Sequence, residues 1–576
     1  MCKLARYLKP YWLQCTLGPF CKLMEAVLEL ILPTIMAYMI NDGVVKHDFQ
    51  VVLRLGGLMI VMVIVGFCFS MVCQYSAALA SQGFGTDMRN RLYAHIQTFS
   101  YHDIDHFTTT SLVNRLGNDV NQLQLAVAML IRLVIRAPFI IIGAIVMAMF
   151  LDLRLSFILI AAVPFISLIL FLFIRFSTPL YRQYQRKLDQ FGSVLQDTFA
   201  GIRVIRAFVS QRREKKRVER NIDDLQEQMM KIARLSALLN PLTAFVINMA
   251  VIIILYQGVW QIQDGTIAPG VIVAFINYAS SILTALVALS NLIVIFTKAA
   301  ASAQRVNEVL EYEATMEDGN NSILYEKPEE AVCFENVRFS YGEGEAALSD
   351  LNFVIHTGET IGIIGGTGSG KTTLIHLISR FYDPQAGTVY LYGQDIRTIK
   401  HEEICKEIVS VPQINELFYG TIRDNICFGY TNVSDAEIWK ALEDAQAADF
   451  VKNLKNGLDA KVERGGANFS GGQRQRLCIA RALLRKPSVL ILDDSCSALD
   501  FKTDASLRKA LREQYGNATK FIVSQRVSTL LNSDRILVLQ DGKIVGSGVH
   551  EELYDTCAVY RDLCKTQKIE KEVMRL

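Results

Sequence analysis

Six apolar stretches, each long enough to cross a bilayer, crowd into the first 300 of 576 residues: 11–40, 51–78, 126–150, 155–176, 238–262 and 270–297. A hydrocarbon core about 30 Å thick calls for ~20 apolar residues in helical form. Lipid offers backbone N–H and C=O groups no partners, so runs of this length satisfy them internally as helices. The first part of the chain is therefore expected to be an all-α domain of six membrane-spanning helices. Residues 320–576 hold no comparable run and read as an ordinary soluble domain. The overall 51% hydrophobic and 20% charged content averages two unlike halves.

The connections alternate in length. Residues 41–50, 151–154 and 263–269 are short; residues 79–125 and 177–237 are long and basic. Arg182, Arg186, Lys187, Arg203, Arg206, Arg212, Arg213, Lys215, Lys216 and Arg217 all fall in the second long connection. The bias of Lys and Arg toward the cytoplasm puts both long connections, and both termini, on that side of the membrane. Both connections are helically patterned with few breakers, so the spanning helices are expected to continue past the bilayer. Lys3, Arg6 and Lys9 precede Pro10, and no small-residue cleavage site follows, so residues 1–10 read as an interfacial lead-in. A net charge of +2, with no basic stripe interleaved with aromatics, gives nucleic acid no footing. The twelve cysteines form no CxxC pair and read as small apolar fillers.

Ionisable residues inside a span are expensive and are candidates for function. Glu25 and Glu29 sit one turn apart in the first span, and Arg132 and Arg136 share that spacing in the third. The arginines are expected near the cytoplasmic end, where they snorkel. The glutamates are expected to pair with Lys22 or a neighbouring helix, or to meet a substrate. Asn248, Gln257, Asn277 and Asn291 are open between lining a cavity and joining helices.

The soluble half carries phosphate chemistry. Ile361-Gly-Ile-Ile364 reads as a buried strand, followed by Gly365-Gly366-Thr367-Gly368-Ser369-Gly370-Lys371-Thr372-Thr373 and a helix-patterned Leu-Ile-His-Leu-Ile. This is the complete GxxxxGK[ST] loop in its strand-to-helix setting. Glycines let the backbone N–H groups turn toward phosphate oxygens at a helix N-terminus. Lys371 is placed to reach the terminal phosphates, and Thr372 to offer its hydroxyl to Mg²⁺. Val489-Leu-Ile-Leu492 is a second apolar strand ending in Asp493 and Asp494, where a carboxylate opposite the loop holds Mg²⁺. Between them, Phe469-Ser470-Gly471-Gly472-Gln473 opens a helical stretch and supplies a second anion-binding helix start. If that cap faces away from its own loop, two chains sandwich two nucleotides head to tail.

This set of motifs resembles the nucleotide-binding domain of the ATP-binding cassette (ABC) superfamily, and the six preceding spans resemble an exporter half-transporter. The resemblance covers essentially the whole chain. It implies a transmembrane domain over 1–310, a linker over 311–330 and an α/β P-loop domain over 331–576. It implies ATP with Mg²⁺ as cofactors, a second half-transporter as partner, and a cytoplasmic-membrane location. By likeness, Tyr341 matches the aromatic that stacks on adenine, and Gln413 the glutamine that senses Mg²⁺. Residues 469–473 match the signature motif, with Phe469 for the more usual leucine, and Ser497-Ala-Leu-Asp500 match the loop that communicates across the dimer. Gly201–Phe208 and the region around Asp103–Phe107 resemble segments flanking the helices that dock onto nucleotide-binding domains.

Two positions depart from the family pattern. The residue after the Mg²⁺-binding aspartate is usually glutamate, which polarises the attacking water; here it is Asp494, one methylene shorter. The position usually held by histidine is Gln525, which can hydrogen-bond phosphate but cannot carry a positive charge. The combination resembles the degenerate half of heterodimeric bacterial multidrug exporters. Its implication is a slow site on this chain's own loop, while Ser470–Gln473 completes a competent site on the partner. The expected cargo is a small amphipathic drug or lipid-like compound, with a specific peptide, lipid or metal chelate as the alternative. A soluble chromosome-maintenance type of ATPase is excluded by the six spans and the lack of a long coiled coil.

Overall fold

The computed structural model describes residues 4–342, 344–430, 432–495 and 499–569. It divides into two compact units: Met1–Thr98 with Phe107–Glu313, and Phe99–His106 with Ala314–Leu576. Residues 1–3 of the expected interfacial lead-in, and Ser497 and Ala498 of the expected communication loop, lie outside the described residues.

The first unit contains six long apolar helices: Arg6–Val44, Phe49–Ile96, Thr109–Leu151, Leu153–Ala200, Gln211–Gln263 and Pro269–Leu310. Every expected apolar stretch falls within one of them. The helices run well beyond those stretches: the second continues from residue 78 to Ile96, and the fifth has 53 residues. At 1.5 Å per residue that helix is about 80 Å long. The reason lies in the polar extensions. Residues 211–237 contain neither Gly nor Pro and are rich in Arg, Lys, Glu, Gln and Leu, so nothing stops the helix where the apolar run ends. The turns come where caps are encoded. The Asp152 carboxylate accepts from Leu155 N at 2.7 Å and, with an extended backbone, separates the third and fourth spans by itself.

Many large apolar side chains on this unit are exposed, with Phe150 82% exposed and Phe157 and Phe171 about 60%. That suits a lipid solvent, in which burial of apolar surface is not required. Between the helices, Leu159, Ile166, Ile254, Phe275 and Tyr278 form a close-packed core. The fully buried Tyr278 hydroxyl donates to the Leu30 carbonyl at 2.8 Å and lies 2.7 Å from Thr34 Oγ1, tying the sixth span to the first.

The second unit is built on two main sheets. Strands β1 (Glu330–Phe339), β2 (Leu348–His356), β3 (Thr360–Gly365), β4 (Ala386–Leu391), β5 (Gln394–Asp395) and β6 (Ile408–Val411) come first. A small pair follows, β7 (Gly420–Thr421) and β8 (Lys461–Val462). Then come β9 (Val489–Asp493), β10 (Thr519–Val523), β11 (Arg535–Gln540) and β12 (Lys543–Gly548). The first sheet is antiparallel in the order β2-β1-β4-β5. The second runs β12-β11-β3-β10-β9-β6 and is parallel from β11 through β6. β9 and β10 are buried along their whole length, the signature of parallel strands covered on both faces.

The helix Tyr101–Phe107 sits, through residue 106, in this second unit although its chain neighbours belong to the first. The Tyr101 ring stacks on Phe381 with centroids 4.6 Å apart, and the Tyr382 hydroxyl donates to the Asp105 carboxylate at 3.0 Å. The fully buried Asp103 carboxylate accepts from the Thr315 hydroxyl and from Ser100 N, both at 2.8 Å. Its neighbours 311–329 carry no helix or named strand and pack locally, with the Arg380 guanidinium donating to the Glu317 carbonyl at 2.8 Å.

Candidate functional site

Four adjacent parallel strands, β3, β10, β9 and β6, end side by side, and each is followed by a residue set apart by the sequence. The phosphate loop follows β3, Gln525 follows β10, Asp493–Asp494 close β9, and Gln413 follows β6. Ligands of open α/β sheets bind beyond the carboxyl ends of such strands. Thr367, Gly368, Lys371, Thr372, Gln413, Asp493, Asp494, Ser524 and Gln525 together line one cavity of about 150 Å³ there.

The loop's geometry explains its glycines at two points. Gly370 has φ +98° and caps the helix Lys371–Ile378, a conformation that side-chain-bearing residues resist. A Cβ on Gly365 would lie 2.6 Å from Ser369 Oγ, so this position admits no side chain without displacing the loop. The Lys371 ammonium donates to the carbonyls of Gly365 and Gly366 at 3.0 and 2.7 Å. Burial lowers its pKa from the ordinary lysine value, while the charges of Asp493 and Asp494 act in the opposite direction. Thr372 Oγ1 donates to Asp493 Oδ2 at 3.4 Å. Burial, and next the charge of Asp494, push the Asp493 carboxyl above the ordinary carboxylate range. A buried carboxylate beside a second one, with a hydroxyl and an amide oxygen on the same wall, is a set of hard oxygen donors that fits Mg²⁺. When bound, the ion would be held by Thr372, Asp493 and Gln413 and would supply charge neutralisation for the phosphates.

Asp494 adopts φ +46°, and its amide donates to the Val523 carbonyl at 3.0 Å. That bond fastens the residue to the end of β10, next to Ser524 and Gln525. The Gln525 carbonyl accepts from Gln567 Nε2 at 2.8 Å, and Gln567 Oε1 accepts from Val527 N at 2.9 Å. Gln567 thus clamps the switch segment from the far end of the chain. Nothing in local sequence marks it, since its partners lie about forty residues away.

Tyr341 follows β1 and stands edge-on to Phe339 and Tyr382, with centroids 4.9 and 5.3 Å apart. Its hydroxyl donates to Thr373 Oγ1 at 3.3 Å, on the helix that the phosphate loop opens. It remains 45% exposed, leaving ring surface for a base. Base–aromatic stacking is worth roughly 1–3 kcal/mol. Tyr341→Ala is therefore expected to weaken ATP binding by about tenfold, read by titrating a fluorescent ATP analogue into the purified protein.

The signature residues stand elsewhere. Ser470 caps the helix Gly471–Leu484 in a reciprocal capping box: its hydroxyl accepts from Gln473 N at 3.3 Å, and Gln473 Oε1 accepts from Ser470 N at 2.9 Å. Ser470 and Gly471 are exposed, and none of Ser470, Gly471, Gly472 and Gln473 lines the phosphate-loop cavity. Phe469, in place of leucine, is buried and packs near Phe450. Asp500 caps the helix Phe501–Gln514 by accepting from Thr503 N and its hydroxyl, at 2.9 and 2.8 Å.

In the first unit the two glutamates take the two kinds of partner that the sequence offered. Glu25 pairs with Lys22 on its own helix at 2.7 Å. Glu29 pairs across helices with Arg136 at 2.7 Å. Arg136 is half-buried at the start of the helix Arg136–Leu151, fifteen residues from its Leu151 end, and its guanidinium turns to the first span. A cavity of about 210 Å³ is lined by Glu29, Arg136, Asn277, Ser280, Ser281 and Thr284 among others. Glu25, Asn248 and Asn291 do not line it; the two asparagines are exposed on their helices.

Comparison with known proteins matches residues 15–287 to the ABC transporter transmembrane region and residues 348–497 to the ABC transporter family. The chain is 36% identical to the uncharacterized ABC transporter ATP-binding protein YfiB of Bacillus subtilis, over 98% of each chain. It is 33% identical to an ATP-dependent lipid A-core flippase of Desulfotalea psychrophila, over 84% of each. Its fold matches the structure of a bacterial Atm1-family ABC exporter with ATP bound, at a TM-score of 0.80, with 23% identity over 99% of each chain. Six apolar helices and an ATP-binding domain that takes Mg²⁺ with its nucleotide are thus joined in one chain, and exporters of this build act as dimers in the membrane. The chain belongs to the ABC transporter family, as an exporter-type fusion of a multi-pass transmembrane domain with a cytoplasmic ATP-binding domain.

Proposed function

We propose that this chain is one half of a heterodimeric exporter of amphipathic, drug-like or lipid-like compounds in the cytoplasmic membrane. In this reading its own phosphate loop binds ATP and hydrolyses it slowly, and Ser470–Gln473 complete the partner's faster site. The observation that carries it is the placement of Asp494 and Gln525 on one cavity wall with Lys371 and Thr372. A general base must lie within hydrogen-bond reach of the water it activates, and Asp494 is one methylene short. Gln525 cannot supply the charge that a protonated histidine would. The two deficits meet at the same nucleotide, and lost proton transfer alone lowers a rate by roughly 10²–10⁴. The signature helix start, by contrast, is intact and lies outside that cavity's lining.

The cycle follows. Two ATP molecules draw the nucleotide-binding domains together, the long helical extensions carry closure to the spans, and hydrolysis at the competent site resets the cavity. The lipid A-core flippase among the relatives supports a lipid-like cargo. The ion pair in the membrane cavity favours, as a second reading, one defined solute such as a peptide, lipid or metal chelate.

The chain purified alone is expected to show at most about one tenth of the ATPase activity of the assembly captured from its native membrane by a tag on this chain. Mass spectrometry of that assembly should find a second half-transporter with glutamate and histidine at the two positions. Vigorous turnover by two identical copies of this chain would end the proposal.

A further inference from the structure

The membrane cavity has a chemical polarity that narrows its ligand, and the inference rests on the exporter reading above. Glu29, Arg136 and Thr284 come from the first, third and sixth spans. Each stands fifteen residues from the outward end of its helix, at Val44, Leu151 and Pro269 respectively. Fifteen residues at 1.5 Å rise put all three about 22 Å from that end of their helices, at one level of the bundle. They form one polar layer between the spans.

The donors and acceptors in this layer are unevenly divided. The Thr284 hydroxyl donates to the Ser280 carbonyl at 3.0 Å, and the Ser280 hydroxyl to the Ile276 carbonyl at 3.1 Å. The Asn277 amide nitrogen donates to the Val273 carbonyl at 2.9 Å. The two hydroxyl hydrogens are committed to the helix, and the Asn277 amide nitrogen also makes a long contact of 3.9 Å with Met36 Sδ, so what these groups turn to the cavity is lone pairs. Pro33 lacks the N–H that would have bonded the Glu29 carbonyl, which adds one more acceptor beside the Glu29 carboxylate. The cavity's cation is Arg136, which spends one Nη on Glu29 while its buried Nε has no hydrogen-bond partner.

A site rich in acceptors, with one guanidinium and the Ser281 hydroxyl as its donors, suits a ligand with several N–H donors and one oxyanion. We propose that this cavity selects amphiphiles whose head group joins a primary ammonium to a phosphate or carboxylate. The ammonium would sit among Glu29, Ser280, Thr284 and Asn277, and the oxyanion on Arg136. A quaternary ammonium carries the same charge but no N–H, so it would lose the acceptor contacts. The interhelical ion pair by itself would brace the spans without distinguishing the two.

The test measures ATPase stimulation of the assembled transporter, in nanodiscs, by lysophosphatidylethanolamine and by lysophosphatidylcholine. The first is expected to reach half-maximal stimulation at about one tenth the concentration of the second, the effect of losing one or two charge-assisted hydrogen bonds. Arg136→Gln and Thr284→Val should each erase most of that difference. Thr284→Val retains the volume and leaves the ion pair alone, so it reports even where Arg136→Gln fails to assemble. Glu25→Gln, outside the cavity, should leave the difference intact. Soluble phosphoethanolamine, without an acyl chain, separates head-group recognition from lipid recognition: competition by it assigns the selectivity to the polar layer. Equal potency of the two lysolipids, or equal shifts for both in Thr284→Val, overturns the inference while leaving an amphiphile exporter standing. No stimulation by either lysolipid or by neutral and cationic amphiphiles overturns both.

Discussion

Gly471→Ala is expected to lower ATP turnover of the assembled transporter by about a hundredfold while leaving this chain's fold and thermal stability unchanged. Alanine keeps the backbone N–H but sets a methyl group where a phosphate would approach, and moving one pre-organised donor off developing phosphate charge has effects of roughly 10²–10³ in rate. The position separates folding from function unusually well. A Cβ built on Gly471 meets nothing within 4 Å. In a helix, alanine in place of glycine is favoured by up to about 1 kcal/mol. Within the chain, then, the substitution is neutral or mildly stabilising. Any loss must come from what approaches the helix start from outside, and the proposed visitor is the nucleotide on the partner's phosphate loop. Lys371→Ala supplies the contrast. It removes the ammonium held over this chain's own loop and should weaken ATP binding there while reducing overall turnover only a few-fold at saturating ATP, because that site contributes to closure but little to hydrolysis. Turnover would be followed by phosphate release and each pocket's occupancy by photolabelling with an azido-ATP. Equal losses in the two variants would mean that the two pockets work alike.

Asp494→Glu combined with Gln525→His is expected to raise hydrolysis at this chain's own pocket by about 10²–10⁴. The double change restores the missing methylene and a group able to carry positive charge on the wall shared with Lys371 and Thr372. Trapping with vanadate should then catch nucleotide on both chains, where the parent traps it on one. The backbone sets a small price. Asp494 lies at φ +46°, a region that aspartate tolerates better than longer residues do. The double variant should therefore unfold at a slightly lower temperature even as its rate climbs. If neither the rate nor the trapping pattern changes, the two substitutions are not what slows the pocket.

The phosphate chemistry was legible because each motif is local. A buried strand, a glycine loop and a helix follow one another within twenty residues, and the four strand ends that meet at the cavity each carry their own marker. The spans were legible as apolar runs but their ends were not. Apolar content stops at the bilayer, whereas helix propensity continues, so a stretch read as 238–262 belongs to a helix beginning at Gln211. The least legible features depend on distant pairs. Glu29 and Arg136 are 107 residues apart, and the third span is interrupted before Arg136 by two π turns, Arg115–Asp119 and Leu130–Val134, that no composition reveals. Gln567, which clamps Gln525, sits in an unremarkable run near the chain's end.

The short helix that holds Tyr101, Asp103 and Asp105 leaves the ribosome long before the surface it joins, since Tyr382 follows Asp105 by 277 residues. During that interval the helix has no partner, and contacts of such sequence separation are slow to form. Completing this part of the ATP-binding unit therefore requires the connection between the second and third spans to lie on the same side of the membrane as that unit. An ATP-binding fragment begun at residue 314 would be born with Phe381, Tyr382 and Thr315 lacking their partners from that helix. Adding back a peptide of residues 99–106 should improve its solubility, a form of quality control written into the order of synthesis.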